Sequence, residues 1–130
     1  LLKECKSLRE SAEYESGLAT GEIVATYAYQ LPSHYIFHTV GPIYDKHITN
    51  QNDQLFSCYV KCVQRALDWN LRSIAFPAIS TGAYGFPKDK AALIVKAAMG
   101  SFWHKSCGDI EVRFYFFSQE DLEIHRRMFE

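Results

Sequence analysis

The 130-residue chain lacks any apolar run near the roughly 20 residues that a membrane-spanning helix needs. It also lacks charge of one dominant sign. Its 14 basic and 15 acidic residues leave a net charge of −1, so no basic face is available to grip nucleic acid or an anionic membrane. No initiating Met and no leader pattern open it, because Leu1-Leu2 passes at once into Lys3-Glu4-Cys5-Lys6. An opening Leu fits a processed chain, a trimmed one or a fragment. The four cysteines, Cys5, Cys58, Cys62 and Cys107, make no C-x-x-C pair. No further ligands stand at zinc-binding spacing, so no metal is expected. Reduced thiols of a cytoplasmic or nuclear protein are the expectation. Internal repeats, low-complexity tracts and linkers are absent too, which predicts one domain over residues 1–130.

The apolar share, 48%, is enough for a real core. Its distribution predicts a helix over Leu1–Glu13, a loop over Glu15–Glu22 and strands at Ile23–Tyr29 and Tyr35–Val40, the second ended by Gly41-Pro42. A polar loop, Asp45–Asp53, leads to a helix over Gln54–Asn70, where Leu55, Tyr59, Cys62, Val63, Ala66 and Leu67 form a stripe of 3.6-residue period. A strand at Ser73–Ile79, a helix over Lys88–Lys105, a strand at Ile110–Phe117 and a helix over Gln119–Phe129 complete the chain. Tyr35–Val40 and Ser73–Ile79 are apolar throughout, which predicts burial on both faces. The alternation argues an α/β fold, a partly parallel sheet between helices.

The densest chemistry lies in Ile74–Pro87, Ile-Ala-Phe-Pro-Ala-Ile-Ser-Thr-Gly-Ala-Tyr-Gly-Phe-Pro. The layout is buried strand, glycine loop, helix. Such a loop can aim backbone N–H groups and a helix N-terminus at an anion, most often a phosphate. Gly82 and Gly85 permit positive φ and close approach, Ser80 and Thr81 add hydroxyls, and Tyr84 and Phe86 offer rings to a sugar or base. Neither a Walker Gly-Lys-Ser/Thr nor a Gly-x-Gly-x-x-Gly is present. On spacing alone a tight strand-to-helix turn explains the glycines as well as an anion cradle does.

Ile74–Pro87 closely resembles the signature of macrodomains, the ADP-ribose-binding modules. Leu31-Pro32 followed by Tyr35-Ile36-Phe37-His38-Thr39-Val40-Gly41-Pro42 resembles a second family motif, and Leu2, Glu4 and Cys5 with Thr20-Gly21-Glu22, Ser57-Cys58-Tyr59 and Phe117-Ser118 with Asp121 fit in order around these. The resemblance implies a three-layer α/β/α sandwich with a mixed sheet. It implies that Ile79, Ser80, Thr81, Gly82, Ala83, Tyr84, Gly85 and Phe86 wrap the diphosphate of ADP-ribose, with Tyr84 beside the distal ribose and Phe117 near the adenine. No cofactor follows from it. The implied partners are ADP-ribose or ADP-ribosylated proteins, and the implied chemistry is removal of mono-ADP-ribose from proteins or deacetylation of O-acetyl-ADP-ribose. The family's two opening strands and its "NAAN" segment, which hold the distal ribose and the attacking water, have no counterpart in the 130 residues. The expectation is therefore a macrodomain incomplete at its N-terminus. Without the strand that belongs between Tyr35–Val40 and Ser73–Ile79, these two either pair directly or leave backbone groups unpaired. Completion of the core by another copy of the chain is left open. So is the alternative of a catalytically inactive macrodomain-like scaffold for protein or nucleotide binding.

Other polar residues read as structural. His38 lies in an apolar strand and is expected as a satisfied core histidine. His34, His47, His104 and His125 are scattered and expected at the surface. Glu4, Glu10, Glu13 and Glu15 read as a solvated acidic face, Glu22 has no partner in the pattern, and Asp89 is placed to complement a helix dipole. Within Phe114–Phe117, core packing accounts for the first three residues.

Overall fold

A computed structural model of the chain describes residues 1–11, 13, 16–102 and 110–130. Among them the elements run α1 (Leu2–Glu10), β1 (Ile23–Tyr27), β2 (Tyr35–Thr39), α2 (Gln51–Asp68), β3 (Ser73–Phe76), α3 (Lys88–Gly100), β4 (Glu111–Phe114) and α4 (Gln119–Phe129). Type and order match the sequence pattern, whereas each strand is shorter than its apolar run. β3 stops at Phe76 because Pro77 has no N–H to continue a ladder. α2 starts at Gln51 rather than Gln54. The Gln51 side chain accepts the Asp45 N–H at 2.8 Å and donates to the Ile43 carbonyl, tying the preceding loop to the first turn. The expected end of the third helix at Lys105 lies outside the described residues, as do Glu15, His104 and Cys107.

The core forms where α2 and α3 pack together. Leu55, Tyr59, Cys62 and Val63 of α2 meet Ala91, Val95 and Ala98 of α3, with Ile23, Phe76 and Phe86 joining them. The alanines of α3 let the two helices approach closely. α2 touches both β1 and β3, and α4 packs on α3. α4 begins at Ser118, whose Oγ accepts the Asp121 N–H at 3.1 Å, a side-chain N-cap. α1 buries no residue and is tied to β1 by Glu4, whose carboxylate accepts from the Tyr29 hydroxyl and, at 3.3 Å, from the Tyr27 N–H. Glu4 is thus a tether as well as a solvated acid.

The described strands form two separate ladders. β1 and β2 pair antiparallel from Ile23↔Thr39 to Tyr27↔Tyr35, and β3 and β4 pair parallel from Ser73↔Glu111 to Phe76↔Phe114. β2 and β3 do not pair, so the expected burial on both faces is not met. Every residue of β2 is half-buried, and Ser73 and Ala75 of β3 are exposed. The physical reason is that each strand has one neighbour where an inner strand needs two. Among the described residues no helix is long and apolar enough to cross a membrane.

The histidines divide differently from expectation. His38 Nε2 and Thr26 Oγ1 are 2.9 Å apart, so this half-buried ring is satisfied. His34 and His47 are exposed. His125 is a correction: it is 5% exposed, stacks on Phe116 with 4.2 Å between ring centres, and its Nδ1 lies 2.9 Å from the Asp121 carbonyl. Helical periodicity puts it one turn beyond Asp121, on the face that α4 turns inward.

Candidate functional site: the glycine loop and the cleft beside it

The loop after β3 is held at its base and open at its tip. Phe86 is 1% exposed, in the α2–α3 core, with its ring edge-on to Tyr44 at 5.2 Å between centres. Its N–H donates to the Ser80 carbonyl at 2.8 Å, closing the loop, and the Gly85 N–H donates to the Gly82 carbonyl at 3.0 Å, making the turn at the tip. The Tyr44 N–H donates to the Tyr84 carbonyl at 2.8 Å. On the incoming side the Ile79 N–H donates to the Tyr59 hydroxyl at 3.3 Å, so a phenol from α2 fixes the approach. Burial pushes that phenol's pKa well above its ordinary value and keeps it neutral.

With these bonds made, the N–H groups of Ser80, Thr81, Gly82, Ala83 and Tyr84 have no acceptor among the described residues. Gly82, Ala83, Tyr84 and Gly85 are exposed at the tip. A run of uncommitted N–H groups beside the start of α3 at Lys88 presents the positive ends of backbone dipoles to an anion. The strain is at Ser80 rather than Gly82. Ser80 has φ 66° and Gly85 φ 71°, whereas Gly82 keeps a negative-φ conformation. Ser80 Oγ is also buried without a partner. A strained non-glycine residue at a loop base is a common mark of a ligand site.

Placement of the expected residues is therefore uneven. Ser80 to Gly85 form the rim. The Phe86 ring is a correction: it belongs to the core and offers no face to a ligand, because burying it anchors the loop. Phe117 is fully exposed past the carboxyl end of β4, and Tyr115, expected in the core, is a correction: it is exposed too, because alternate residues of the segment face outward. β3 and β4 are parallel, so Phe117 and the glycine loop lie at the same end of their sheet, where ligands of such sheets bind. Ile79, Ser80 and Tyr84 also line a cleft of about 680 Å³ that extends between β2 and β3, within the size range of small-molecule sites. Cys62 lies at its floor with its thiol pKa pushed up to about 12 by burial, so it is a neutral packing group rather than a nucleophile. No metal-ligating cluster occurs among the described residues.

Three supporting residues escaped the sequence reading. A Cβ at Gly41 would lie 2.6 Å from Ile79 Cγ2 and closer still to Ser80 Oγ, so only glycine lets the end of β2 pack on the loop base. Gly41-Pro42 reads in sequence merely as a strand terminator. Tyr44 and Tyr59 hold the loop through a backbone N–H and a hydroxyl, contacts between distant segments for which a sequence carries no signal. Glu22 likewise gains a partner, Lys61 of α2. Asp89 stands exposed in the first turn of α3, as its dipole role requires.

Known proteins share this arrangement. A Macro domain model matches residues 1–95. A Macro domain-containing protein of Methanosarcina mazei is 44% identical over 106 residues, 82% of this chain and 53% of the relative. The ADP-ribose glycohydrolase MACROD2 of Xenopus laevis is 40% identical over 129 residues, 98% of this chain and 29% of the relative. The chain thus spans little more than half of one relative and under a third of the other. Among solved structures, a variant of the Oceanobacillus iheyensis macrodomain with ADPR superposes at a TM-score of 0.89 and 36% identity, over 98% of this chain and 68% of that one. Loop, topology and matches agree: this chain belongs to the Macro domain family.

Proposed function

We propose that the chain binds ADP-ribose, free or attached to protein, with the glycine loop taking the diphosphate. The observation that carries the reading is the run of five uncommitted backbone N–H groups, Ser80 to Tyr84, at the carboxyl end of β3 and the start of α3. The open cleft beside Ser80 and Tyr84 supports a ligand over a collapsed scaffold. Tyr84 stands at the rim where a ribose would lie, and the free ring of Phe117 stands at the same sheet end where an adenine would stack. The relatives' names and bound ligands support the same ligand class.

Calorimetry of the 130-residue chain with ADP-ribose tests this. Saturable heat is expected, and Gly85→Val is expected to weaken affinity about tenfold or more, because a β-branched residue does not hold φ 71°. A folded chain that gives no heat at millimolar ADP-ribose overturns the reading.

Turnover is a separate matter. Hydrolysis needs a positioned water and a placed reacting carbon, and the "NAAN" segment that serves this in the family is absent from these residues. The expected result is binding without release of ADP-ribose from a modified carboxylate by the 130-residue chain alone. Release well above the uncatalysed rate would assign catalysis to residues within it.

A further inference from the structure

At the end of the β1–β2 ladder away from Gly41, aromatic rings gather. Tyr27 and Tyr35 are directly paired across the ladder, so both project from the same face. Their ring centres are 5.6 Å apart with planes inclined by 31°. Trp69, at the end of α2, stands 4.9 Å from Tyr35 and inclined by 63°. With Glu4 of α1 and Ala25 and Thr26 of β1, these three rings line an open recess of about 290 Å³. Only Tyr35 is shared with the cleft beside the glycine loop.

Neighbouring residues hold these walls. Phe37 packs edge-on to the Trp69 indole with 5.6 Å between centres, and the Trp69 backbone N–H donates to the Arg65 carbonyl at 3.0 Å. Tyr29 has a left-handed φ of 55°, uncommon for a bulky residue. Its hydroxyl donates to Glu4 Oε2 and its ring stands edge-on to Tyr27. The Tyr27 N–H donates to the same oxygen at 3.3 Å. Both donors are neutral, and among the described residues no cation pairs with Glu4. The recess therefore combines a fixed, uncompensated carboxylate with three ring surfaces. Ring faces attract cations, and this indole already draws one: the Arg65 guanidinium carbon lies 5.4 Å from the indole centre, while Arg65 does not line the recess. Inclined rings make a concave wall for a compact, rounded group, whereas a base needs a flat face to stack on. A bare ammonium is strongly hydrated, so methyl groups in place of its hydrogens lower the cost of entry.

We infer that the recess between Tyr27, Tyr35, Trp69 and Glu4 binds a methylated ammonium group on an alkyl stem, the chemistry shared by choline and a methylated lysine side chain. The rings take the methyl groups and spread charge, and Glu4 supplies the opposite charge. This inference stands apart from the ADP-ribose reading, and its test contains no nucleotide.

The test is NMR titration of the Trp69 indole N–H at constant ionic strength. The probes are choline, its neutral carbon analogue 3,3-dimethylbutan-1-ol, and acetyl-trimethyllysine-amide. Saturable shifts are expected with choline and with the lysine derivative, and the neutral analogue is expected to bind about tenfold more weakly than choline. Tighter binding of choline would point to a small-molecule source, and tighter binding of the lysine derivative to a protein one; both support the shared chemistry. Tyr27→Thr removes an exposed wall and keeps a strand former. It is expected to weaken choline about fivefold with unchanged far-UV circular dichroism. Glu4→Gln keeps an acceptor for both donors and is expected to weaken choline about threefold. Equal affinity for choline and its neutral analogue, no saturable shift with either cation, or unchanged choline affinity in both variants would overturn the proposal. An indole shift that follows the chain's own concentration would overturn it in favour of a second copy covering these rings.

Discussion

Ser80 concentrates the chemistry of the loop in one residue: left-handed φ, a buried hydroxyl without a partner, and an N–H that opens the run of uncommitted N–H groups. Relieving the first two should stabilise the fold. Ser80→Gly is expected to gain about 1 kcal/mol in urea unfolding, from removal of αL strain and of an unsatisfied hydroxyl. It should also weaken ADP-ribose, because a looser loop must be ordered on binding. Gly41→Ala should act in the opposite direction. Its Cβ meets Ile79 and Ser80 in a packed place, so a loss of about 1–3 kcal/mol is expected by the same measurement. The tight turn and the phosphate loop could not be separated from sequence, because both need glycine. In the folded loop five N–H groups stay uncommitted, which is what the proposed cradle needs, and that arrangement depends on Tyr44 and Tyr59 arriving from distant segments.

At the scale of elements, α2 gathers most of the buried titratable groups. Burial raises the pKa of Cys58, of Tyr59 and of Cys62, the last to about 12. A thiol that binds its proton more tightly when folded contributes stability in full below its unfolded pKa, near 9 for cysteine. That contribution is lost as pH rises through the folded value. The thermal midpoint should therefore fall between about pH 9 and pH 12, and Cys62→Ala should flatten the fall while lowering the midpoint at pH 7 by opening a cavity. A flat midpoint over that window would contradict the burial of these groups. α4 rests on its cap. Ser118→Ala removes the acceptor for the Asp121 N–H and is expected to cost about 1 kcal/mol in urea unfolding. The types and order of these elements were legible because α2, α3 and α4 carry unbroken helical periodicity and Pro, Gly and Asn mark their ends. Strand lengths were not, because an apolar run such as Ile74–Ile79 can continue past the point where its ladder stops.

For the whole molecule, β3 connects the core to the glycine loop, since Phe76 at its end and Phe86 after the loop both pack in the core. A ligand held by that loop should stabilise the entire core. ADP-ribose at a hundred times its dissociation constant is expected to add about 2.7 kcal/mol to the unfolding free energy. Hydrogen exchange should slow across α2, α3 and β3, with little change in α1, which buries nothing. An unchanged unfolding curve at that concentration would show that the loop is not coupled to the core.

By itself the sequence determined the element order, the helical stripes, the family motifs and the place of the glycine loop. Each of these depends on neighbours within a few positions: helical or strand period, turn residues, and a loop bounded by strand and helix. Only the tertiary structure decided that the Phe86 ring is packed in the core and that His125 is buried. It alone showed that Gly41 is the contact point of two strand ends, and that β2 and β3 face each other across a cleft instead of pairing. These outcomes depend on residues far apart in the chain, where packing space and the satisfaction of backbone hydrogen bonds choose among arrangements that local pattern leaves equally open.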